Sequence, residues 1–148
     1  MKTEWISALT ALVAVILSPI VSLYVAKRQI RASVVSANRQ KWIDELRGEL
    51  SELINLIMFL NMGRTTLTEK AFIEKFEKAH LIETKINLLI NPHEQDHVAL
   101  TKTIRDAIVE IFEKKDRDPK VLIALKDSIV SQSQAILKRE WDRVKKGE

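Results

Sequence analysis

The sequence predicts an all-α fold, in which an N-terminal transmembrane helix continues into an up-down antiparallel four-helix bundle. Three observations lead to this prediction. The 148 residues include only three Gly and three Pro, so few positions interrupt regular structure. Residues 5–26 carry no charged side chain. In the rest of the chain apolar residues recur at alternating spacings of three and four, the period of an amphipathic helix.

Residues 5–26 are long enough to cross a bilayer as a helix, since about 20 apolar residues span the hydrocarbon core. Trp5 and Tyr24 lie near the two ends, where aromatic rings favour the membrane interface. Pro19 removes one backbone donor, which transmembrane helices tolerate. A cleaved signal peptide is the competing interpretation, but Tyr24 disrupts the small-residue pattern that cleavage needs. We divide the chain into an anchor (1–26), a basic helical stalk (27–38) and a bundle (39–148).

Basic residues orient the anchor. Five of them follow it with no acidic residue among them: Lys27, Arg28, Arg31, Arg39 and Lys41. The N-terminal flank has only Lys2, beside Glu4. The positive-inside rule therefore places the bundle in the cytoplasm and the N-terminus outside. We expect the five basic residues to contact the membrane surface.

The same five residues account for the basic balance of the whole chain, whose net charge is +4. Nucleic-acid binding would need a separate basic face with aromatic residues to stack on bases, so we expect no nucleic-acid partner. The chain has no cysteine, which excludes disulfides, thiolate chemistry and cysteine zinc sites.

Small residues recur along one face of the anchor at spacings of four, three, four, four and four. They are Ser7, Ala11, Ala14, Ser18, Ser22 and Ala26. Small side chains allow helix backbones to approach closely within a bilayer. We call this row the small-residue stripe, and we expect it to mediate homo-oligomer formation. The alternative is that Ala and Ser are simply common in such segments.

The remaining helices follow from apolar periodicity and turn residues. Helix 1 is expected to run unbroken to Gly63, and helix 2 to begin at Thr66 or Thr68. Asn91-Pro92 and Asp118-Pro119 each resemble an N-cap followed by a first-turn proline, so helices 3 and 4 are expected to begin there. Helix 3 is expected to end at Lys114-Lys115 and helix 4 near Lys146. The expected core of helix 1 consists of Ile43, Leu46, Leu50, Leu53, Ile57 and Leu60.

Residues 93–97 spell the H-E-x-x-H pattern. In metallopeptidases the two histidines bind zinc from one helix face and the glutamate acts as general base. Here the pattern begins in the expected first turn of a helix, and His80 lies too far along helix 2 to be the third ligand. A zinc hydrolase is therefore an alternative that we do not favour. We expect no enzyme activity, no cofactor, no metal and no small-molecule substrate.

Three stretches stand out together: NRQKWIDELR (38–47), KINLLINP (85–92) with His97, and LKREWDRVKKGE (137–148). They resemble a group of small uncharacterised bacterial and phage-borne membrane proteins with one N-terminal helix. The resemblance implies a bacterial inner-membrane setting and carries no catalytic role. It marks Trp42, Arg47, Asn91, His97 and Trp141 as landmarks of the fold or of an interface. Trp42, Arg47 and Trp141 are our candidate interface residues.

These observations favour a membrane-anchored helical interaction or scaffold protein that self-associates or binds a protein partner. The alternative is a membrane-acting effector, of toxin or phage-defence type, that perturbs the bilayer on oligomerising. Hydroxyl side chains along the anchor, at Ser7, Thr10, Ser18 and Ser22, motivate this alternative. They are equally able to bond their own helix backbone.

Overall fold

A computed structural model describes residues 2–63, 67–112 and 119–147. These residues form four α-helices and, within those ranges, no strand. The helices are α1 (Lys2–Gly63), α2 (Glu69–Leu89), α3 (Gln95–Phe112) and α4 (Pro119–Lys146). The predicted all-α fold with four helices is confirmed.

α1 is one unbroken helix of 62 residues that contains Pro19. At 1.5 Å per residue it is roughly 93 Å long. It continues through residues 27–38 without interruption, as the sequence predicts. It is also the one helix, among the described residues, that is long and apolar enough to cross a membrane. Its large apolar side chains from Leu12 to Val25 are exposed.

The four helices pack in an up-down arrangement. α2 runs antiparallel to α1, because Lys85 of α2 pairs with Glu49 of α1 at 2.8 Å and Lys78, earlier in α2, pairs with the later Glu52. α4 runs antiparallel to α1, because Ser36 bonds Val144 whereas the later Arg39 pairs with the earlier Glu140. It runs antiparallel to α3, because Asp96 bonds Arg139 whereas the later Thr103 bonds the earlier Gln132. α3 contacts α1 less extensively than α2 and α4 do. The part of α1 that belongs to the anchor, residues 2–26, therefore projects from one end of a four-helix bundle.

Apolar side chains from all four helices form one core. The six expected residues of α1 are all buried, as are Leu100, Ile104, Ile108 and Ile111 of α3. Trp141, a candidate interface residue, is 42% exposed. It lies beside Gln40 and Arg47 at the rim of a shallow groove.

The helix starts agree with the prediction in two places and differ in one. Thr68 is the N-cap of α2, where its Oγ1 accepts a hydrogen bond from Ala71 N at 3.3 Å, and Pro119 is the first residue of α4. The expected features at Thr66, Lys114-Lys115 and Asp118 lie outside the described residues. α3, however, begins at Gln95 rather than Pro92.

The later start of α3 has a local cause. Asn91 Oδ1 accepts from His93 N at 3.0 Å, and Glu94 N donates to Asn91 O at 3.2 Å. An asparagine that bonds the backbone two residues ahead forms a turn that competes with the helix. Residues 91–94 are therefore a tight corner between α2 and α3.

Replacing Ile104 by Ala is expected to destabilise the fold by about 2–5 kcal/mol, because a fully buried side chain leaves a cavity. Ile104 is 0% exposed. Denaturant or thermal unfolding of the full chain in detergent, followed by circular dichroism, measures the change. Leu88→Ala is the control, since Leu88 is 82% exposed and its loss should cost no more than about 0.5 kcal/mol. Equal losses for the two variants would contradict the assigned core.

Candidate junction between the anchor and the bundle

Three segments of the chain meet at the end of the bundle from which the anchor projects. They are residues 32–42 of α1, the corner at residues 89–94, and residues 139–147 at the end of α4. We call this region the junction. The junction contains an open cleft of about 450 Å³. The cleft is lined by Val35, Asn38, Arg39, Trp42, Leu89, Asn91, Glu94, Glu140 and Arg143.

Trp42 connects α1 to the end of α2. Its indole Nε1 donates to the carbonyl oxygen of Leu89 at 2.6 Å. Leu89 is the last residue of α2, where carbonyl groups lack a partner within the helix. The Trp42 ring also stacks on His97, with centroids 6.1 Å apart. This candidate interface residue is therefore engaged in contacts within the chain.

His97 is buried and holds the corner in place. Its Nδ1 accepts a hydrogen bond from Asn91 N at 2.9 Å. A backbone N–H can only donate, so Nδ1 carries no proton in this arrangement. The other ring nitrogen, Nε2, lies 3.2 Å from Nη2 of Arg139.

Arg139 joins α4 to the corner and to the first turn of α3. Its guanidinium donates to the carboxylates of both Glu94 and Asp96, and its Nε donates to Glu140 at 3.2 Å. Burial opposes the charge on this guanidinium, but the bonds to Glu140 and Asp96 outweigh it and raise the pKa of Arg139. Burial likewise opposes ionisation of Asp96, yet Arg139 holds the pKa of that carboxyl below its ordinary value.

The H-E-x-x-H pattern does not adopt the geometry of a metallopeptidase site. His93 is exposed and precedes α3, so it does not share a helix face with His97. Ligand atoms of Glu94, Asp96 and His97 do lie within 4.8 Å of one another, a spacing that suits a metal ion. The Arg139 guanidinium, however, donates to both carboxylates and lies 3.2 Å from His97 Nε2. A cation of the protein itself thus already pairs with Glu94 and Asp96.

Glu140 lies among three arginines and is only 5% exposed. Arg143 Nη1 donates to its Oε1 at 2.6 Å, and Arg139 donates to the same oxygen. Arg39 of α1 approaches the other oxygen, with its Nε 3.6 Å away. A buried carboxylate needs such compensation, because an isolated buried charge is costly. Glu140 therefore connects α4 to α1 through Arg39.

The end of α4 packs beside residues 32–39 of α1. Ser36 Oγ donates to the carbonyl oxygen of Val144 at 3.4 Å. Gly147 follows α4 with a positive φ of 71°, the conformation in which glycine commonly ends a helix. A β-carbon placed on Gly147 would lie 3.8 Å from that of Ala32. Part of the expected stalk is thus covered by α4.

The other expected site residues lie on exposed surfaces of α1. Lys27, Arg28, Arg31 and Lys41 are exposed, whereas the Arg39 side chain is only 26% exposed. Arg39 also lies about 20 Å beyond Ala26 along the helix axis. In the small-residue stripe, Ala14, Ser18, Ser22 and Ala26 are exposed. The side chains of Ser7 and Ala11 lie outside the described residues.

Arg47, another candidate interface residue, is exposed and pairs with Asp44 of the next helical turn at 3.0 Å. Glu83 is a charged residue that the sequence does not single out. It is buried in α2 between His80, at 3.0 Å, and Arg105 of α3, at 2.7 Å. Sequence reasoning also missed Arg139 and Glu140, because nothing in the local pattern of charges shows which partners lie across the bundle.

Comparisons of this chain with protein-family models, with curated proteins and with solved structures gave no match.

Replacing Asp96 by Asn should destabilise the fold in a pH-dependent manner. The lowered pKa of Asp96 means that its ionised form favours the folded state above the ordinary value of 3.8, and that this contribution is lost as the pH falls through the folded-state pKa. We expect the gap in unfolding midpoint between wild type and Asp96→Asn to be present at pH 6 and to shrink progressively as the pH falls below 3.8. A gap that is independent of pH would contradict the Arg139 pairing.

Purified full-length protein should not bind zinc in a manner that depends on His93, because His93 is outside α3 and Arg139 engages the neighbouring donors. Elemental analysis after zinc incubation and gel filtration tests this. His93→Ala and wild type should retain the same amount of zinc. One zinc per chain in wild type, lost in His93→Ala, would contradict the account and revive the hydrolase alternative.

Proposed function

We propose that this protein is a membrane-anchored helical scaffold that self-associates through the anchor half of α1 and has no catalytic activity of its own. One observation carries the proposal. α1 runs unbroken from the apolar segment into the bundle core, and the junction contacts brace it where the two parts meet. In a scaffold of this kind the anchor and the bundle move together, because both contain parts of the same continuous helix.

The orientation follows from the distribution of charge. Lys27, Arg28 and Arg31 are exposed immediately after the apolar segment, and no acidic residue occurs between Glu4 and Asp44. The positive-inside rule favours a cytoplasmic bundle and an N-terminus outside. The resemblance to bacterial and phage-borne proteins supports a bacterial inner membrane.

The association face of α1 differs from the face that packs in the bundle. At about 100° per residue, Ala37 projects within about 20° of Ala26, whereas Ile43 projects about 100° away from Ala26. Ala37 is exposed and Ile43 is buried. The small-residue stripe therefore extends past the membrane on a side of α1 that the other helices leave uncovered. Two anchors are able to pair there without unfolding either bundle.

The spacing of the stripe also bears on the geometry of pairing. Small residues four apart are typical of right-handed helix pairs that cross at about −40°. Helices that cross at such an angle diverge on either side of their contact. This divergence leaves room for a bundle on each anchor.

Enlarging the stripe should prevent association. In Ser18→Leu/Ser22→Leu, bulky side chains hold the backbones apart, so chemical crosslinking and mass measurement of the full chain in nanodiscs should show a shift from oligomer to monomer. The matched control is Ile16→Phe/Ile20→Phe, which enlarges exposed apolar residues on the opposite side of α1. The control should remain oligomeric.

A wild-type protein that is monomeric in nanodiscs at every protein-to-lipid ratio would contradict the self-association. A protein partner would then be the remaining form of the scaffold proposal. Expression with a membrane-potential dye separates the scaffold from the membrane-acting effector. The scaffold leaves the potential unchanged, whereas loss of potential that depends on Ser18 and Ser22 would favour the effector.

A further inference from the structure

Folding brings the basic end of α4 beside the basic residues that follow the apolar segment. Val144 O accepts a hydrogen bond from Ser36 of α1, and a β-carbon placed on Gly147 would lie 3.8 Å from that of Ala32. Ala32 is next to Arg31 in the sequence and one helical turn from Arg28. Lys145 and Lys146, more than 110 residues from Arg31 in the sequence, therefore lie beside residues 32–36 of α1, just beyond Arg31.

These residues lie at and just beyond the outer edge of the headgroup region of a bilayer whose hydrocarbon core ends near Ala26. Headgroups add roughly 5–8 Å to each side of the hydrocarbon core. With the core ending near Ala26, Arg31 lies about 7.5 Å and Ala32 about 9 Å further along α1. Lysine side chains at this height extend their charged ends toward the interface while their stems cover apolar surface.

The lysines at the end of α4 remain accessible there. Lys145 and Lys146 are exposed. Lys145 pairs with Asp142 at 2.8 Å, but both side chains are about half exposed, so the ammonium group still faces solvent. Residues 138–148 include five basic and three acidic residues, and Glu140 is buried among its arginines. Residues 138–148 thus carry a net charge of +2, five basic less three acidic residues.

We propose that Lys27, Arg28, Arg31, Lys145 and Lys146 form one basic surface that binds anionic phospholipid headgroups. We call it the basic collar. The inference rests on the proposed anchor, which places this level of α1 at the membrane. It adds a second membrane contact, made by the far end of the chain, to the one expected from residues 27–31. Attraction to an anionic surface increases with each basic residue near it, so the collar also holds α4 and the junction against the bilayer.

An anionic membrane fits this surface better than a nucleic acid does. The collar surrounds the base of an apolar helix segment, and its one aromatic neighbour on α1 is Tyr24, which lies at the expected end of the anchor. Stacking platforms of the kind that bind single-stranded nucleic acids need aromatic residues within the basic groove. Trp141 is not such a stacking platform, because it lines a groove with Gln40 and Arg47 that includes none of the collar residues.

Lysine acetylation of the wild-type chain tests the collar directly. The protein is placed in nanodiscs of phosphatidylcholine alone or with phosphatidylglycerol, treated with an acetylating reagent, and read by mass spectrometry. Lys145 and Lys146 should react about fivefold more slowly with phosphatidylglycerol present, and high salt should remove the difference. Lys70 and Lys75, near the start of α2 at the other end of the bundle, should react equally in both. Equal rates for Lys145 and Lys146 in the two lipids would overturn the proposal.

Charge reversal gives an independent measurement. Lys145→Glu/Lys146→Glu should lower the amount of phosphatidylglycerol that co-purifies with the chain after detergent extraction, whereas Lys70→Glu/Lys75→Glu should not. Unchanged lipid in the first variant would contradict the collar. The acetylation rate of Lys27 distinguishes failure of the collar from failure of the proposed anchor. Protection of Lys27 without protection of Lys145 and Lys146 overturns only the collar, whereas protection of neither site overturns the proposed anchor as well.

Discussion

Burial of the Glu140 carboxylate among three arginines is the interaction on which the architecture of the junction depends. An ionised carboxylate cannot remain buried without compensating charge and hydrogen bonds, and breaking a buried ion pair by removing one partner is strongly destabilising. One of the three arginines, Arg39, belongs to α1, while Arg139 and Arg143 belong to α4. The end of α4 is therefore tied to α1 within the segment that leads to the anchor. The hydrogen bond from Ser36 to Val144 of α4 is consistent with this placement.

The second arginine extends the same network to the corner. Arg139 bonds Glu94 and Asp96 and approaches His97, which in turn accepts from Asn91 N and stacks on Trp42. Three separate segments of the chain are thus held at one end of the bundle by polar contacts, while the apolar core holds the rest. Polar networks whose members are satisfied specify one arrangement more sharply than apolar contact does. This is the physical reason to regard the anchor and the bundle as one mechanical unit.

The sequence predicted whatever depends on local pattern. The apolar spacing of α1 identified its buried residues, Thr68 was one of two expected caps, and the scarcity of Gly and Pro indicated a continuous α1. Prediction from the sequence was wrong, or gave nothing, where contacts between polar side chains decide the structure. Asn91 forms a turn instead of capping α3, and Glu83 is buried because Arg105 approaches it across the bundle. The pairing of Arg39 with Glu140 spans about a hundred residues, and no spacing rule within one segment reveals such a contact.

The central claim is that α1 forms one stiff helix from the membrane through the junction. Hydrogen–deuterium exchange of the full chain in nanodiscs tests it most directly, because amide protection reports local opening of a helix. The account predicts slow exchange throughout residues 27–42 in wild type, comparable to the buried part of α1, with faster exchange in this segment in Glu140→Gln, which removes the charge that holds the arginines. Exchange in residues 27–42 of wild type as fast as in an unstructured peptide would contradict it.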